Sequence, residues 1–335
     1  MALIITVLLQ ALRGILSVQN IVFSHYESSA LESEWVNNVE IWQNDVCSYF
    51  SRKMIEKYIK TVAFVNHLSD NKMLDYITGA YKVFSKYISH FHYNVSDGSG
   101  KIGTIAIPIE GIIGLARDPR KCYDVNSENF TQSKAFLIPM RGTVEKYYIS
   151  LLLSSNSRFA NDPTDQTNYL FDAGATFYSD TNSQGTKWIV DWYRGVGLTI
   201  TNVVAWEKKP MMGDLAIEGI PDHLVHGYQY FNHPIKSHPM SVWNPLQFIK
   251  KKCKVSDFVV FKLDIDHKST ESEIVHQLKY DDAARARIDE FFYEEHFNNT
   301  AMRMHGWMMY WSTLADYYRI AIPLRKKGFR IHYWP

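Results

Sequence analysis

Apolar residues recur along this chain with two different periods. From about Ser33 to His92 they fall three and four apart, as in Leu74, Ile77, Ala80, Tyr81, Phe84, Tyr87, Ile88 and Phe91, the spacing of one helix face. Two or three amphipathic helices are predicted there. The turn-rich "NVSDGSGKIG" ends the run, and "KAFLIPM" and "YYISLLL" add a short strand or helix apiece. Residues 154–168, polar and proline-containing, have almost no apolar periodicity to bury. They read as a linker between an N-terminal region, 19–153, expected to be mainly helical, and a second unit, 169–335.

Past the linker, short runs of Val, Ile and Phe alternate with helical stretches. "YLFDAG", "ITNVVAWE", "DFVVFKLDID", "FFYEEHF" and "FRIHYW" read as strands. "GTKWIVDWYRGVG", "NPLQFIKKKCK", "DAARARIDEF" and "TLADYYRIAIPLRKKG" read as helices. This alternation predicts an α/β fold with a parallel, doubly wound sheet. Ligands of such sheets bind at the carboxyl ends of the strands, so the polar residues there are the candidates for function.

Composition narrows the partners. Charged residues are 21% of 335 and the formal net charge is +1, so no nucleic-acid groove or acidic tail is announced. The apolar start from Ala2 to Leu12 is shorter than the ~20 residues of a membrane span and has the length of a secretory signal, so 1–18 reads as a signal peptide and no transmembrane span is expected. Sequons at Asn94, Asn129 and Asn298 agree with a glycoprotein of the secretory lumen or outside the cell. Cys47, Cys122 and Cys253 allow one disulfide, and no CxxC pair offers a thiolate zinc site.

Candidate chemistry sits at the strand ends. After "YLF", Asp172, Gly174 and Ala175 combine an acid with small residues that let the backbone approach a ligand closely. Glu207 ends "VVAWE", where nucleotide-binding sheets place an acid on ribose hydroxyls. Strand alternation through "KLDID" would put Asp264 and Asp266 on one face, suited to a divalent metal or to proton abstraction, with His267 and Glu271 in the following loop. The same alternation pairs Glu294 with His296. Arg117 and Arg120 could meet an anionic acceptor, although such arginines more often pair with surface acids.

"LFDAGAT", "VVAWE", "NPLQFI", "FVVFKLDID" and "FFYEEHF" together resemble the FkbM-type family of S-adenosylmethionine-dependent methyltransferases, over roughly Tyr169 to Trp334. The resemblance implies a Rossmann-like methyltransferase sheet with Asp172, Gly174 and Ala175 on the methionine side of S-adenosylmethionine and Glu207 on its ribose. Asp264 would lie at the transfer centre, with Asp264, Asp266 or His296 as base for a hydroxyl of a sugar or other small acceptor. The family continues Asn-x-Gly after the alanine, where this chain has Thr176-Phe177-Tyr178, and it has Glu and Gly where this chain has Asp266 and His267. Two alternatives stand beside this reading. One takes Asp264-Ile265-Asp266 as the metal motif of a glycosyltransferase; the other is a non-catalytic secreted protein that keeps the fold.

Overall fold

The computed structural model describes residues 18–42, 88–97, 102–109, 166–179, 185–195, 198–210, 213–295 and 312–334. In the first part of the chain, β1 (Val18–Glu27), β2 (Ser89–Asp97) and β3 (Ile102–Ile109) pair antiparallel in the order β1-β2-β3. Two short helices follow β1: α1 (Ala30–Asn37), capped by the Ser29 hydroxyl accepting from Glu32 N, and α2 (Val39–Trp42). The expectation of a mainly helical N-terminal region is therefore corrected for its described residues. The stretch from Ser89 to Asp97 pairs with both β1 and β3, and these ladders override the three-residue step from Ile88 to Phe91. Residues 1–17, 43–87 and 110–165 lie outside the described residues, and with them the proposed signal, most of the predicted helices, Arg117, Arg120 and most of the linker.

The second unit follows the predicted alternation more closely. β4 (Asn168–Ala173), α3 (Thr186–Gly195), β5 (Asn202–Trp206), α4 (Gly213–Ile217), β6 (Tyr228–Phe231), α5 (Pro245–Lys252), β7 (Phe258–Leu263), α6 (Lys268–Tyr280), α7 (Asp282–Arg285), β8 (Glu290–Tyr293), α8 (Leu314–Lys326) and β9 (Ile331–Tyr333) succeed one another. The strands form one parallel sheet in the order β6-β5-β4-β7-β8-β9. Counting from β4, the chain runs outward to β6 and then returns to the other side of β4 at β7. That reversal is the switch point at which doubly wound sheets open a crevice.

Both faces of the parallel sheet are covered, which is why β7 is buried at every position. Phe171, Val204, Trp206, Phe261 and Leu263 pack with α1, α5, α6 and α8 on one face. On the other, Leu170, Val203 and Val260 pack with α3 and with Phe91, Ile107 and Ile109 of the three-stranded sheet. That sheet thus does on one side what helices do on the other.

The two parts are also tied by charge. Arg325 of α8 is buried, donates from Nη1 to Glu32 Oε2 at 3.2 Å and to the Tyr26 hydroxyl at 3.0 Å, and donates from Nε and Nη2 to Ile331 O. Tyr26 in turn donates to Glu32, and so does the Ser89 hydroxyl. Cys253 is a buried free thiol. No helix among the described residues is long and apolar enough to cross a membrane.

Candidate functional site

A cavity of about 760 Å³ opens at the carboxyl ends of β4, β5 and β7, a size in the range of small-molecule sites. Gly174 and Thr176 follow β4, Glu207, Lys208 and Lys209 follow β5, and Asp264, Ile265 and Asp266 follow β7. The segment after β6, from His233 to His238, forms a further wall. Asn232 fixes its start by donating to Glu207 O at 2.8 Å and Lys209 O at 2.6 Å. Asn244, which caps α5, donates to Ser237 O and to Gln277 Oε1, and the His233 ring stacks on Trp243 with centroids 3.9 Å apart.

The acid of the first motif is not in this cavity. Asp172 lies within β4, fully buried, directly opposite Lys262 of β7. The Lys262 ammonium is 3.0 Å from Asp172 Oδ1 and 3.1 Å from Asp264 Oδ2, and the Thr186 hydroxyl donates to Asp172 Oδ2 at 2.6 Å. Burial alone would lower the proton affinity of Lys262, but Asp172 and Asp264 together hold its pKa above the ordinary value. Ala175 is also buried, in the core beneath the sheet. Asp172 and Ala175, expected on the methionine side of a ligand, thus lie outside this cavity's lining: alternation turns Asp172 to the other face, where a buried carboxylate needs its partner.

Gly174 does border the cavity, but its lack of a side chain serves the fold. It has φ +90, and a Cβ there would lie 1.6 Å from Asp264 O. The glycine lets the chain leaving β4 lie against the backbone leaving β7, while Gly174 N and Ala175 N donate to Trp206 O. Two residues on, the backbone is strained. Thr176 has φ 42, and the Tyr230 hydroxyl holds it by donating to Thr176 O at 2.9 Å. Asp266, across the cavity, has φ 54, and non-glycine residues in this region concentrate at ligand sites.

The carboxylates at the end of β7 come together by a different route from the one predicted. The strand stops at Leu263, so Asp264 and Asp266 belong to a tight turn and not to an alternating strand. Glu294, just past β8, donates its backbone N–H to Leu263 O, which brings it beside Asp264. Carboxylate oxygens of Asp264, Asp266 and Glu294 lie within 4.8 Å of one another. Withdrawal from water, and then the charge of Asp264, raises the pKa of Glu294 far above the carboxylate range. Asp266 is exposed as a residue, yet the cavity wall partly desolvates its carboxyl, and with Asp264 this raises its pKa too. Asp264 is steadied from below by Lys262 and by the Trp334 indole, which donates to Oδ2 at 3.0 Å.

Glu271, expected in a loop, lies in the first turn of α6, fully buried, with Oε1 accepting from Ile265 N at 2.9 Å. Burial is the main cause that pushes its pKa from 4.5 to about 7, with Asp264 and Asp266 adding to it and the Ile265 bond opposing it. The folded chain thus holds this proton more tightly than the unfolded one. The resulting stabilisation is complete below pH 4.5 and is lost as pH rises to about 7. Glu271→Gln is expected to match the parent in thermal melts below pH 4.5 and to be more stable above pH 7, by on the order of 2 kcal/mol. A stability difference that does not change with pH would contradict this.

Of the remaining candidates, Glu207 lines the cavity, and His296 lies outside the described residues. Sequence reasoning missed Lys262, Glu271 as a buried group, and the His233–His238 wall. For Lys262 a signal existed: a lone lysine inside the apolar run "FVVFKL" must be paired if that strand is central. Fold and site together define a doubly wound α/β protein with a cavity, bordered by acids and lysines, at its switch point. Comparison with family models, with curated proteins and with solved structures finds no match to this chain.

Proposed function

We propose that the cavity binds S-adenosylmethionine and that the protein methylates a hydroxyl of a sugar or other small acceptor in the secretory pathway. The observation that carries this reading is Glu207. Its carboxylate ends β5 at the cavity wall with Oε1 accepting from Lys209 N at 2.6 Å, and its other oxygen has no hydrogen-bond partner among the described residues. An acid so placed suits the two hydroxyls of a ribose. When bound, the cofactor would supply a methyl group on a sulfonium, open to attack by an oxygen nucleophile.

The chain's own residues suit the other half of the chemistry. Asp264 is held in place by Lys262 and Trp334 and orients, whereas Asp266, with raised proton affinity, is the better acceptor for the proton of the attacking hydroxyl. Lys208, Lys209 and Lys236 on the facing walls suit an anionic group of cofactor or acceptor. Secretion is supported by the apolar start of the chain and by Asn94, the acceptor of one sequon, which is exposed on β2.

Calorimetry with S-adenosylmethionine tests the reading. Binding is expected, and Glu207→Ala is expected to weaken it roughly 10- to 100-fold, the value of hydrogen bonds to a charged group. A second reading, metal-dependent glycosyl transfer, is favoured by the carboxylates of Asp264, Asp266 and Glu294 within 4.8 Å of one another. Heat with a nucleotide sugar and manganese, and none with S-adenosylmethionine, would select it. Heat with neither would favour a non-catalytic binding protein.

A further inference from the structure

The three-stranded sheet carries a cluster that takes no part in the cavity. β1 and β2 pair so that His25 lies opposite His92, and Glu27, two residues along the strand, shares their face. The two imidazole rings stack with centroids 4.3 Å apart and planes 2° from parallel. His92 Nε2 is 2.8 Å from Glu27 Oε2, and one donor atom from each of the three residues lies within 4.8 Å of the other two. The Ser24 hydroxyl is 3.1 Å from His25 Nδ1, the kind of outer partner that fixes the ring of a metal-bound histidine.

We propose that His25, Glu27 and His92 form a binding site for a borderline divalent transition ion, zinc above all. Zinc takes nitrogen and carboxylate donors at about 2.0–2.2 Å, which puts neighbouring donors about 3.3 Å apart on a tetrahedron. To admit the ion, the 2.8 Å contact between His92 and Glu27 opens by about half an ångström and the exposed His25 ring turns out of the stack, so that its in-plane lone pair converges with that of His92 on the ion. His92 is buried, Glu27 half-buried and His25 exposed, so the site rests on the protein on one side and leaves a fourth position to water on the other. Two imidazoles select zinc, cobalt or nickel over calcium and magnesium, whereas the cavity acids offer oxygen alone. The ion would also clip β1 to β2 across the 65 residues that separate Glu27 from His92.

Cobalt(II) titration of the full chain tests this. The visible absorption of tetrahedral cobalt is expected and should disappear when zinc is added. His25→Ala, at an exposed position, should fold as the parent does and bind zinc at least about tenfold more weakly, since even outer-sphere changes cost that much. Glu27→Gln should weaken zinc in the same direction. Asp266→Asn, in the cavity, should leave the cobalt band in place. No band in the parent, a band lost with Asp266→Asn, or unchanged zinc affinity in a folded His25→Ala protein would each overturn the site and leave a stacked cross-strand pair.

Discussion

Gly174→Ala is expected to yield little or no folded protein. The added methyl would sit 1.6 Å from Asp264 O and 2.7 Å from the carbonyl carbon, and both are backbone atoms that no rotamer change can move. The residue also holds φ +90, a conformation that disfavours any side chain. Relief requires β4 and β7 to separate at the centre of the sheet, where Asp264 N donates to Ala173 O at 3.0 Å. A loss of more than about 4 kcal/mol follows, a large part of the stability of an ordinary domain. Soluble yield and thermal melts by circular dichroism measure it. If the variant folded normally and lost only ligand binding, the glycine would belong to the ligand and not to the contact between the two backbone segments.

Lys262→Met is the second large effect. It leaves Asp172 fully buried with only the Thr186 hydroxyl as hydrogen-bond partner among the described residues, and removes the ammonium from Asp264. Breaking one side of a buried pair costs about 3–5 kcal/mol, because the remaining charge is stranded away from water. Replacing both partners is a different matter. Lys262→Met combined with Asp172→Leu is expected to recover most of the loss, since an apolar pair of similar volume is often neutral. Denaturant midpoints of the parent, the two single variants and the double variant give the coupling directly. Additive losses would mean that the two residues do not stabilise one another.

The sheet was legible because its signal is local. "FVVFKL" and "NVVAW" are apolar enough to be strands buried on both faces, and α5 and α8 start at side-chain caps, Asn244 and Thr313, that a short window shows, whereas α6 and β6 escaped the sequence reading. Asp172 misled because the sequence shows an acid before a glycine but not the lysine 90 residues away that claims it. Asp264 and Asp266 do meet in space, though through a turn that strand alternation does not describe. Glu271 joins them only because α6 begins two residues after Asp266, a helix start without a side-chain cap to announce it. The N-terminal strands were hidden by distance. β1 finds β2 some 60 residues later, and aromatic residues three apart there satisfy a helical pattern as readily as a strand.

The Arg325 network bears on how the chain is made. Tyr26 and Arg325 are 299 residues apart, so β1 and α1 leave the ribosome long before the helix that completes their burial exists. Trp35, 1% exposed in the finished protein, must wait in the meantime with its indole uncovered. Pairing over such a separation closes late in synthesis, and apolar surface left open until then is prone to aggregate. A fragment beginning at residue 166 would lack Glu32 and Tyr26 and uncover the apolar faces that α1 and the three-stranded sheet bury, and is expected to be less stable than the full chain.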